Sequence, residues 1–307
     1  MTQKAVTKRA RSIRYTKTDI VTIALFTLVM TAFLVIVLYP LLYVISCSFS
    51  GGAMLGGGLS LIPKNVTLEG YKAVFEYKYI WTGYRNSLVY TVLGTAIAMV
   101  VTILCAYPLS RRDFKNGRIV MGMAIFTMYF TGGLIPTYLW MRDLRMLDTM
   151  WVLVLPGALS VYNMIVMRTF FSTQIPDELL EASQIDGCGE WRFLLQIVLP
   201  LSEPILAVIG MYYAVALWNG YFNAMVYIQT SSKLPLANVL REVLVMNMST
   251  NLQANVAINS EVEALLEKRA EVMRYSLIIV SSVPVMLLYP FVQKHFVKGV
   301  MIGAVKG

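Results

Sequence analysis

Six long uncharged apolar runs limit what this chain can fold into. They lie at 20–46, 86–110, 119–141, 149–167, 204–228 and 275–293, and none contains Asp, Glu, Lys or Arg. A helix needs about 20 apolar residues to cross a hydrocarbon core of about 30 Å. Since lipid cannot satisfy backbone polar groups, each run is predicted to be helical. The mean hydropathy of +0.64 agrees, and the predicted fold class is an all-α polytopic membrane protein with six transmembrane helices.

Basic residues predict the orientation of the spans. The tail 1–19 carries a cluster with no acid before Asp19, namely Lys4, Lys8, Arg9, Arg11, Arg14 and Lys17. Because Lys and Arg accumulate on the cytoplasmic side of spans, we expect the N-terminus to be cytoplasmic. Six spans return the C-terminal tail 294–307 to the same side. The loops 47–85 and 229–274 then lie outside, and the segment 176–200 lies inside, within a single membrane domain at 20–293.

Both outer loops are long enough to carry recognition elements. The glycine-rich stretch 51–58 resembles a flexible linker more than a phosphate loop, because no Lys-Ser/Thr pair follows it. The spacing of apolar residues predicts a short amphipathic helix over 68–77, with Thr67 as its N-cap. Two further helices are predicted over 234–246 and 261–273.

The residues that support most enzyme chemistry are missing. The only histidine is His295, which excludes a Ser-His or Cys-His catalytic pair inside the membrane, so no catalytic residue is assigned. Uncharged spans argue against proton-coupled transport. The chain has no Gly-Lys dipeptide and hence no P-loop, so any ATP-driven work requires another polypeptide. Three widely spaced cysteines indicate no metal site, and the basic clusters lack the interleaved aromatics of a nucleic-acid surface.

Amides and aromatic side chains interrupt two of the spans. The fourth and fifth runs contain the candidate path residues Tyr162, Asn163, Trp218, Asn219, Tyr221 and Asn223. Such side chains suit a neutral hydroxylated ligand, to which they offer hydrogen bonds and apolar ring faces. The alternative is that they hydrogen-bond neighbouring helices.

The segment 176–200 is predicted to form two helices around a glycine turn. Pro176 presets the first turn, and Asp177 and Glu178 place negative charge at the positive end of that helix. Gly187 ends it, because glycine readily takes a left-handed conformation. An apolar stripe then predicts a second helix that packs on the bundle until Pro200 breaks it; the stripe consists of Trp191, Leu194, Leu195, Val198 and Leu199. Periodicity alone leaves a docking element and a plain connecting loop equally supported.

The same segment resembles the EAA signature of ABC importer permeases. The match, E-A-S-x-x-D-G-C followed by I-x-L-P, is carried by Glu181, Ala182, Ser183, Asp186, Gly187, Cys188, Ile197, Leu199 and Pro200. Ser183 and Cys188 stand where alanine is usual, and both are small. Further stretches, YPLLYVISCSFS, VTLEGYKAVF, NSL, AYPLSRR, FTGGLIPTYL and QKHFVKGVMIGAVKG, are similar to the second permease of maltose-type and lipoprotein-operon-type carbohydrate importers.

This resemblance implies a type I ABC importer permease fold and a multi-pass location in the bacterial cytoplasmic membrane. It implies a heterodimer with a second permease, an ATPase subunit dimer that binds ATP-Mg, and an extracytoplasmic sugar-binding lipoprotein that delivers a carbohydrate, expected to be an oligosaccharide. This chain itself would bind no cofactor. Contact with the ATPase is carried over to Glu181, Ala182, Ser183, Asp186 and Gly187, and, in the tail, to Lys298, Gly303 and Lys306. Residues 234–268 would meet the lipoprotein.

Two alternatives stay open at this point. One is an importer permease for another solute, such as a polyol phosphate, which would need cationic residues facing the path. The other is a membrane enzyme or scaffold for lipid-linked sugars.

Overall fold

The computed structural model describes residues 16–50, 62–63, 65–243, 273–287, 290 and 293. Within these residues the chain is mostly helical and contains no strand, which confirms the all-α class; an isolated bridge joins Ser50 and Val66. The helices are, in order, α1 (Lys17–Ser48), α2 (Glu69–Glu76), α3 (Lys78–Ser110), α4 (Gly117–Tyr129), α5 (Leu134–Asp143), α6 (Trp151–Val154), α7 (Val161–Gln174), α8 (Asp177–Ile185), α9 (Glu190–Phe193), a π-helical turn (Leu194–Val198), α10 (Leu199–Leu201), α11 (Glu203–Trp218), α12 (Tyr221–Tyr227), a 3₁₀ turn (Ser231–Lys233), α13 (236–243) and α14 (Met273–Leu287).

Two of these helices are long and apolar enough to cross a membrane by themselves. They are α1, of 32 residues, and α3, of 33 residues. Two bent pairs also qualify if each forms one span: α4 with α5, bent by 111°, and the α9–α10 stretch with α11, bent by 84°. The described residues therefore account for two to four spans by length, and six spans stay a prediction.

Three of the predicted spans are divided rather than continuous. The run 119–141 breaks at 130–133, where Gly133 has a φ of +82°. The run 149–167 breaks between α6 and α7, around Pro156 and Gly157, and 204–228 breaks at 219–220. Apolar composition predicts burial in lipid but is insensitive to glycine and proline, which interrupt the backbone hydrogen bonds of a helix.

The core forms where α3 packs against α7 and α11. Gly94 permits a close approach there, because a Cβ added to it would lie 2.7 Å from a methyl carbon of Leu217. Small residues allow helix backbones to approach in this way in membrane bundles. In contrast, α1 exposes its apolar side chains on all faces up to its last turns, so lipid or another protein must cover it.

Hydrogen bonds and ion pairs between helix ends occur at two opposite ends of the bundle. At one end, the Ser276 hydroxyl donates to the Ser48 carbonyl across 3.2 Å, and the Asn86 amide donates to the Ser232 carbonyl across 2.8 Å. At the other end, the C-terminus of α3 meets α8 and α9, with Arg112 3.1 Å from Asp177. The segment 176–200 and the contacts of the predicted outer loops therefore lie at opposite ends of the bundle, and the orientation of these ends in the membrane stays a prediction.

Two of the predicted surface helices are described. The helix predicted over 68–77 is confirmed by α2, but Thr67 is not its N-cap: the helix begins at Glu69 with Leu68 as the N-cap, and Thr67 Oγ1 accepts the Glu69 amide across 3.2 Å from one residue further back. The prediction over 234–246 is confirmed for α13. Because α3 already begins at Lys78, the first outer loop is shorter than expected. The linker 51–58, the helix predicted over 261–273 up to residue 272, the basic tail before residue 16 and the tail 294–307 with Lys298, Gly303 and Lys306 lie outside the described residues.

Candidate functional site

The most distinctive surface element is α8, which runs from Asp177 to Ile185 as the sequence predicts. Pro176 precedes it with a φ of −64°, and two acids occupy the first turn. At its end, the Gly187 amide donates to the Gln184 carbonyl across 3.0 Å, and the Cys188 amide donates to the Ser183 carbonyl across 2.8 Å. These two bonds define a Schellman motif, whose left-handed position Gly187 fills with a φ of +73°.

Most of α8 projects away from the bundle. Ser183 is buried, and its hydroxyl donates to the Leu180 carbonyl within α8 across 2.7 Å, so this small polar residue is satisfied inside the helix. Glu181, Ala182, Asp186 and Gly187 are exposed, as is Ile185 at 87%. A Cβ placed at Gly187 would meet nothing within 4 Å, so open space surrounds the turn. The helix thus presents carboxylates and an unburied isoleucine on a firmly capped end.

The segment after the turn differs from the predicted amphipathic helix. Trp191 and Leu195 are exposed at 67% and 59%, whereas Phe193, Leu194 and Val198 are buried. The π turn at 194–198 adds a residue to the helical repeat, so the residues from Leu195 onward depart from a 3.6-residue stripe. Trp191 precedes this turn and lines an open cleft beside α3. Pro200 lies inside α10 instead of breaking the helix, and the sharp bend follows at Ser202.

Polar contacts connect the start of α9 to the C-terminal end of α3. The Tyr107 hydroxyl donates to Glu190 Oε2 across 2.6 Å, and Arg111 lies 3.6 Å from Glu190 Oε1. Arg111 also pairs with Asp113 across 3.2 Å, and its hydrogen bonds hold the pKa of that carboxyl below its usual value. Composition and spacing contained no signal for the contacts of Glu190, because Tyr107 and Arg111 lie about 80 positions before it in the sequence.

The candidate path residues fall into two separate groups. On α7, Tyr162 is exposed and Asn163 is buried. At the break between α11 and α12, Trp218 is buried and its indole donates to the Ser281 carbonyl across 3.2 Å. The remaining three, Asn219, Tyr221 and Asn223, are exposed. Among the described contacts, no hydrogen bond joins the two groups.

A cavity of about 400 Å³ lies beside the second group. Trp218 and Asn219 line it together with residues of α13 and α14, including the hydroxyl residues Ser281 and Ser282. The cavity therefore combines an aromatic ring, an amide and hydroxyl groups.

A buried hydroxyl network in the core escaped the sequence reasoning. Tyr213 on α11 bonds Thr102 on α3 across 2.7 Å, and its oxygen accepts the Ser160 amide across 3.0 Å. The phenol oxygen of Tyr213 therefore connects α11, α3 and the start of α7. Since tyrosine and threonine occur in many apolar runs, only their meeting in space marks these residues.

At the opposite end of the bundle, Asp148 joins two loops. One of its oxygens accepts the amides of Gln229 and Thr230 across 3.1 and 3.0 Å. The other accepts the Thr230 hydroxyl and the Lys233 ammonium, each across 2.7 Å. The hydrogen bond from Lys233, followed by those from Thr230, holds the pKa of Asp148 far below its usual value.

Among the described residues, no group of three or more His, Cys, Asp or Glu side chains is arranged to hold a metal ion.

The chain is similar to several known transport proteins, although no protein-family model matches it. It is 39% identical to Protein LplC of Bacillus subtilis over 89% of this chain and 90% of the relative. It is 38% identical to the polygalacturonan/rhamnogalacturonan transport system permease protein YtcP of the same organism, over 90% of this chain and 94% of the relative. A crystal structure of a bacterial ABC transporter involved in the import of the acidic polysaccharide alginate matches with a TM-score of 0.81 and 31% identity, over 93% of this chain and all of the matched chain.

Proposed function

The chain belongs to the ABC transporter permeases for sugar and oligosaccharide uptake, and from this we propose that it forms half of an import path and is driven through α8. It is an integral membrane subunit of a transport system and not an enzyme. A permease of this kind works with a second permease, ATPase subunits and a binding protein. The membrane enzyme considered as an alternative is therefore set aside.

The observation that carries the coupling proposal is the exposed, capped α8. Its carboxylates Glu181 and Asp186 and the unburied Ile185 face solvent, while Ser183 is buried. A short rigid helix with an apolar tip can seat in a cleft of a partner and move as one body. Because an effector shifts a two-state bundle only by binding its states differently, ATP-bound and ATP-free partners must contact α8 differently.

The proposed topology and partners are those of the permease family. Six spans place both termini and α8 on the cytoplasmic side of the bacterial cytoplasmic membrane. The ATPase dimer binds ATP-Mg and meets α8 and the tail residues Lys298, Gly303 and Lys306. An extracytoplasmic lipoprotein docks on 234–268 and delivers the sugar. No nucleic acid takes part.

The proposed substrate is an oligosaccharide. The cavity beside Trp218 and Asn219 supports this class, since it offers an aromatic face and neutral hydrogen-bonding groups. Asn163, Tyr162, Tyr221 and Asn223 are proposed to line the rest of the path with the second permease. A binding screen on the cognate lipoprotein tests the class, with oligosaccharides of polygalacturonan, rhamnogalacturonan and alginate, neutral glucans and glycerol phosphate. Binding of glycerol phosphate alone would refute the carbohydrate assignment.

The coupling role is tested in the complete importer reconstituted in vesicles. Glu181→Gln should lower both sugar uptake and sugar-stimulated ATP hydrolysis, because it removes a charge that faces the ATPase. Glu203→Gln is the matched control, since it changes another exposed acid, in the first turn of α11. Equal activity of the Glu181→Gln variant and the wild type would contradict the coupling role of α8.

A further inference from the structure

We propose that Glu190 is a positioning residue that transmits movement of α8 to α3, an inference that rests on the coupling function proposed above. Glu190 is the first residue of α9 and follows the Gly187 turn by three positions. Among the described contacts of 187–190, it makes the first side-chain bond to the central helix of the bundle. Apart from the exposed pair Arg112–Asp177 at the start of α8, this side chain makes the polar contact through which a displacement of α8 reaches α3.

The geometry of the contact suits a mechanical link. The two carboxylate oxygens of Glu190 contact different groups: one accepts a hydrogen bond from the Tyr107 hydroxyl at 2.6 Å, and the other forms an ion pair with Arg111 at 3.6 Å. A hydroxyl donating to an ionised carboxylate at this distance forms a short, charge-assisted hydrogen bond. The side chain of Arg111 is only 15% exposed, and Tyr107 is buried, so both partners are held in place by packing.

The surroundings of the link leave room for movement on one side. A cleft of about 590 Å³ opens there, with Leu104 and Tyr107 of α3 in one wall and Trp191 and Leu194 in the other. Glu190 bridges these walls. Close-packed interiors resist deformation, whereas a cleft can widen or close without breaking core contacts.

The opposite side of the link is filled. Phe193 and Val198 are buried there, and the small cavity beside them measures only about 30 Å³. With packing on one side and open space on the other, the bridge can act as a pivot between α9 and α3. The backbone continues from α9 through the π turn at 194–198 to α11, so α11 stays linked to α8 along the chain when Glu190 is changed.

Asp113 supplies a matched control for this idea. Its carboxylate contacts the same guanidinium as Glu190, across 3.2 Å, but it lies in the loop that directly follows α3 and does not bridge to α9. Its side chain is 70% exposed. Replacing either acid by its amide removes one charge beside Arg111, and only the change at Glu190 weakens the link.

The experiment uses the complete importer with a fluorescent reporter in the cleft. Cys47, Cys105 and Cys188 are replaced by alanine, and an environment-sensitive dye is attached to Leu104→Cys. The fluorescence change on adding ATP, magnesium and vanadate reports movement of the cleft walls. ATP hydrolysis is measured on the same samples.

In the reporter background, we expect Glu190→Gln and Tyr107→Phe each to lower the fluorescence change, because losing a charge-assisted hydrogen bond shifts the equilibrium between the two positions of the cleft walls by about tenfold or more. ATP hydrolysis should persist in both variants, and Asp113→Asn should respond like the reporter protein. A purely structural role would instead lower hydrolysis and thermal stability together. Tyr107→Phe keeps the ring, so it decides the case if Glu190→Gln fails to assemble.

The possible failures are distinguishable. If the reporter protein without these changes neither hydrolyses ATP nor changes fluorescence, the proposed coupling function fails. If it responds and both link variants respond as Asp113→Asn does, coupling stands and the role of Glu190 is refuted.

Discussion

Replacing Gly187 by alanine should destabilise the turn after α8 through backbone strain alone. Gly187 has a φ of +73°, and a Cβ there would meet no atom within 4 Å, so no steric clash contributes. Holding an L-residue in this left-handed conformation costs about 1–2 kcal/mol. Gly189 is the matched control, because its φ of −74° suits any residue and its Cβ is also free of contacts. Gly189→Ala carries no left-handed strain; because Gly189 is the N-cap of α9, where glycine is preferred to alanine, any cost falls on α9 and not on the turn after α8.

Hydrogen exchange measures this difference locally. The amides of Gly187 and Cys188 are bonded to carbonyls within α8, so their protection reports the opening of the Schellman motif. A loss of about 1–2 kcal/mol should speed their exchange about 5- to 30-fold if they exchange by local opening. Peptides that cover 183–189 should show this in Gly187→Ala and not in Gly189→Ala. Equal protection in the two variants would refute the strain argument.

A third variant separates strain from contact with the ATPase. Asparagine tolerates the left-handed region better than alanine but is larger. Gly187→Asn should therefore exchange more slowly than Gly187→Ala. If the partner approaches this turn closely, Gly187→Asn should nevertheless lose at least as much sugar-stimulated ATP hydrolysis as Gly187→Ala. Hydrolysis that follows the exchange order would mean that strain, and not bulk, limits coupling.

Two further changes probe the core and the opposite end of the bundle. Tyr213→Phe should destabilise the bundle by about 1–3 kcal/mol, because it leaves the buried Thr102 hydroxyl and Ser160 amide without their hydrogen-bond partner. Tyr212→Phe changes an exposed neighbour and should leave the thermal midpoint unchanged. Equal thermal midpoints of the two variants would contradict the role of the hydroxyl network. Asp148→Asn should weaken the loop at 229–233, as measured by hydrogen exchange of that peptide. Since the folded pKa of Asp148 is lowered, its stabilising effect is complete above its unfolded pKa of about 3.9 and is lost as pH falls further. The wild-type peptide should lose protection in acid while the variant changes little, and parallel pH profiles would exclude a contribution from this carboxylate.

Local patterns along the chain were sufficient to predict its class and the form of α8. Uncharged runs predict helices in lipid because the backbone N–H and C=O groups must hydrogen-bond to each other there. Pro176 and Gly187 mark the ends of α8 because each restricts or permits particular backbone angles, and both ends were confirmed. Docking of α8 on an ATPase was implied by the family resemblance and stays a prediction.

The divided spans show where such patterns fail. The runs around Gly133, Pro156 and Gly220 appear continuous in hydropathy, yet the helices stop there. The π turn at 194–198 likewise departs from a 3.6-residue repeat and leaves Leu195 exposed, and Trp191, which was expected to pack on the bundle, lines an open cleft. Apolar composition measures how well a segment dissolves in lipid, and it contains no information on which residues a bend will turn inward.

The residues that join the helices depend on contacts between distant parts of the chain. Glu190 meets Tyr107 from 83 positions away, and Asp148 meets Lys233 from 85. Neither pair has a spacing that a helix or a turn would produce, so neither can be found from periodicity or composition. Propensity, capping and lipid solubility are local properties and can be inferred along the sequence. The links that connect α8 to the bundle, and one loop to another, arise from packing, because only the folded chain brings their side chains within a hydrogen bond of each other.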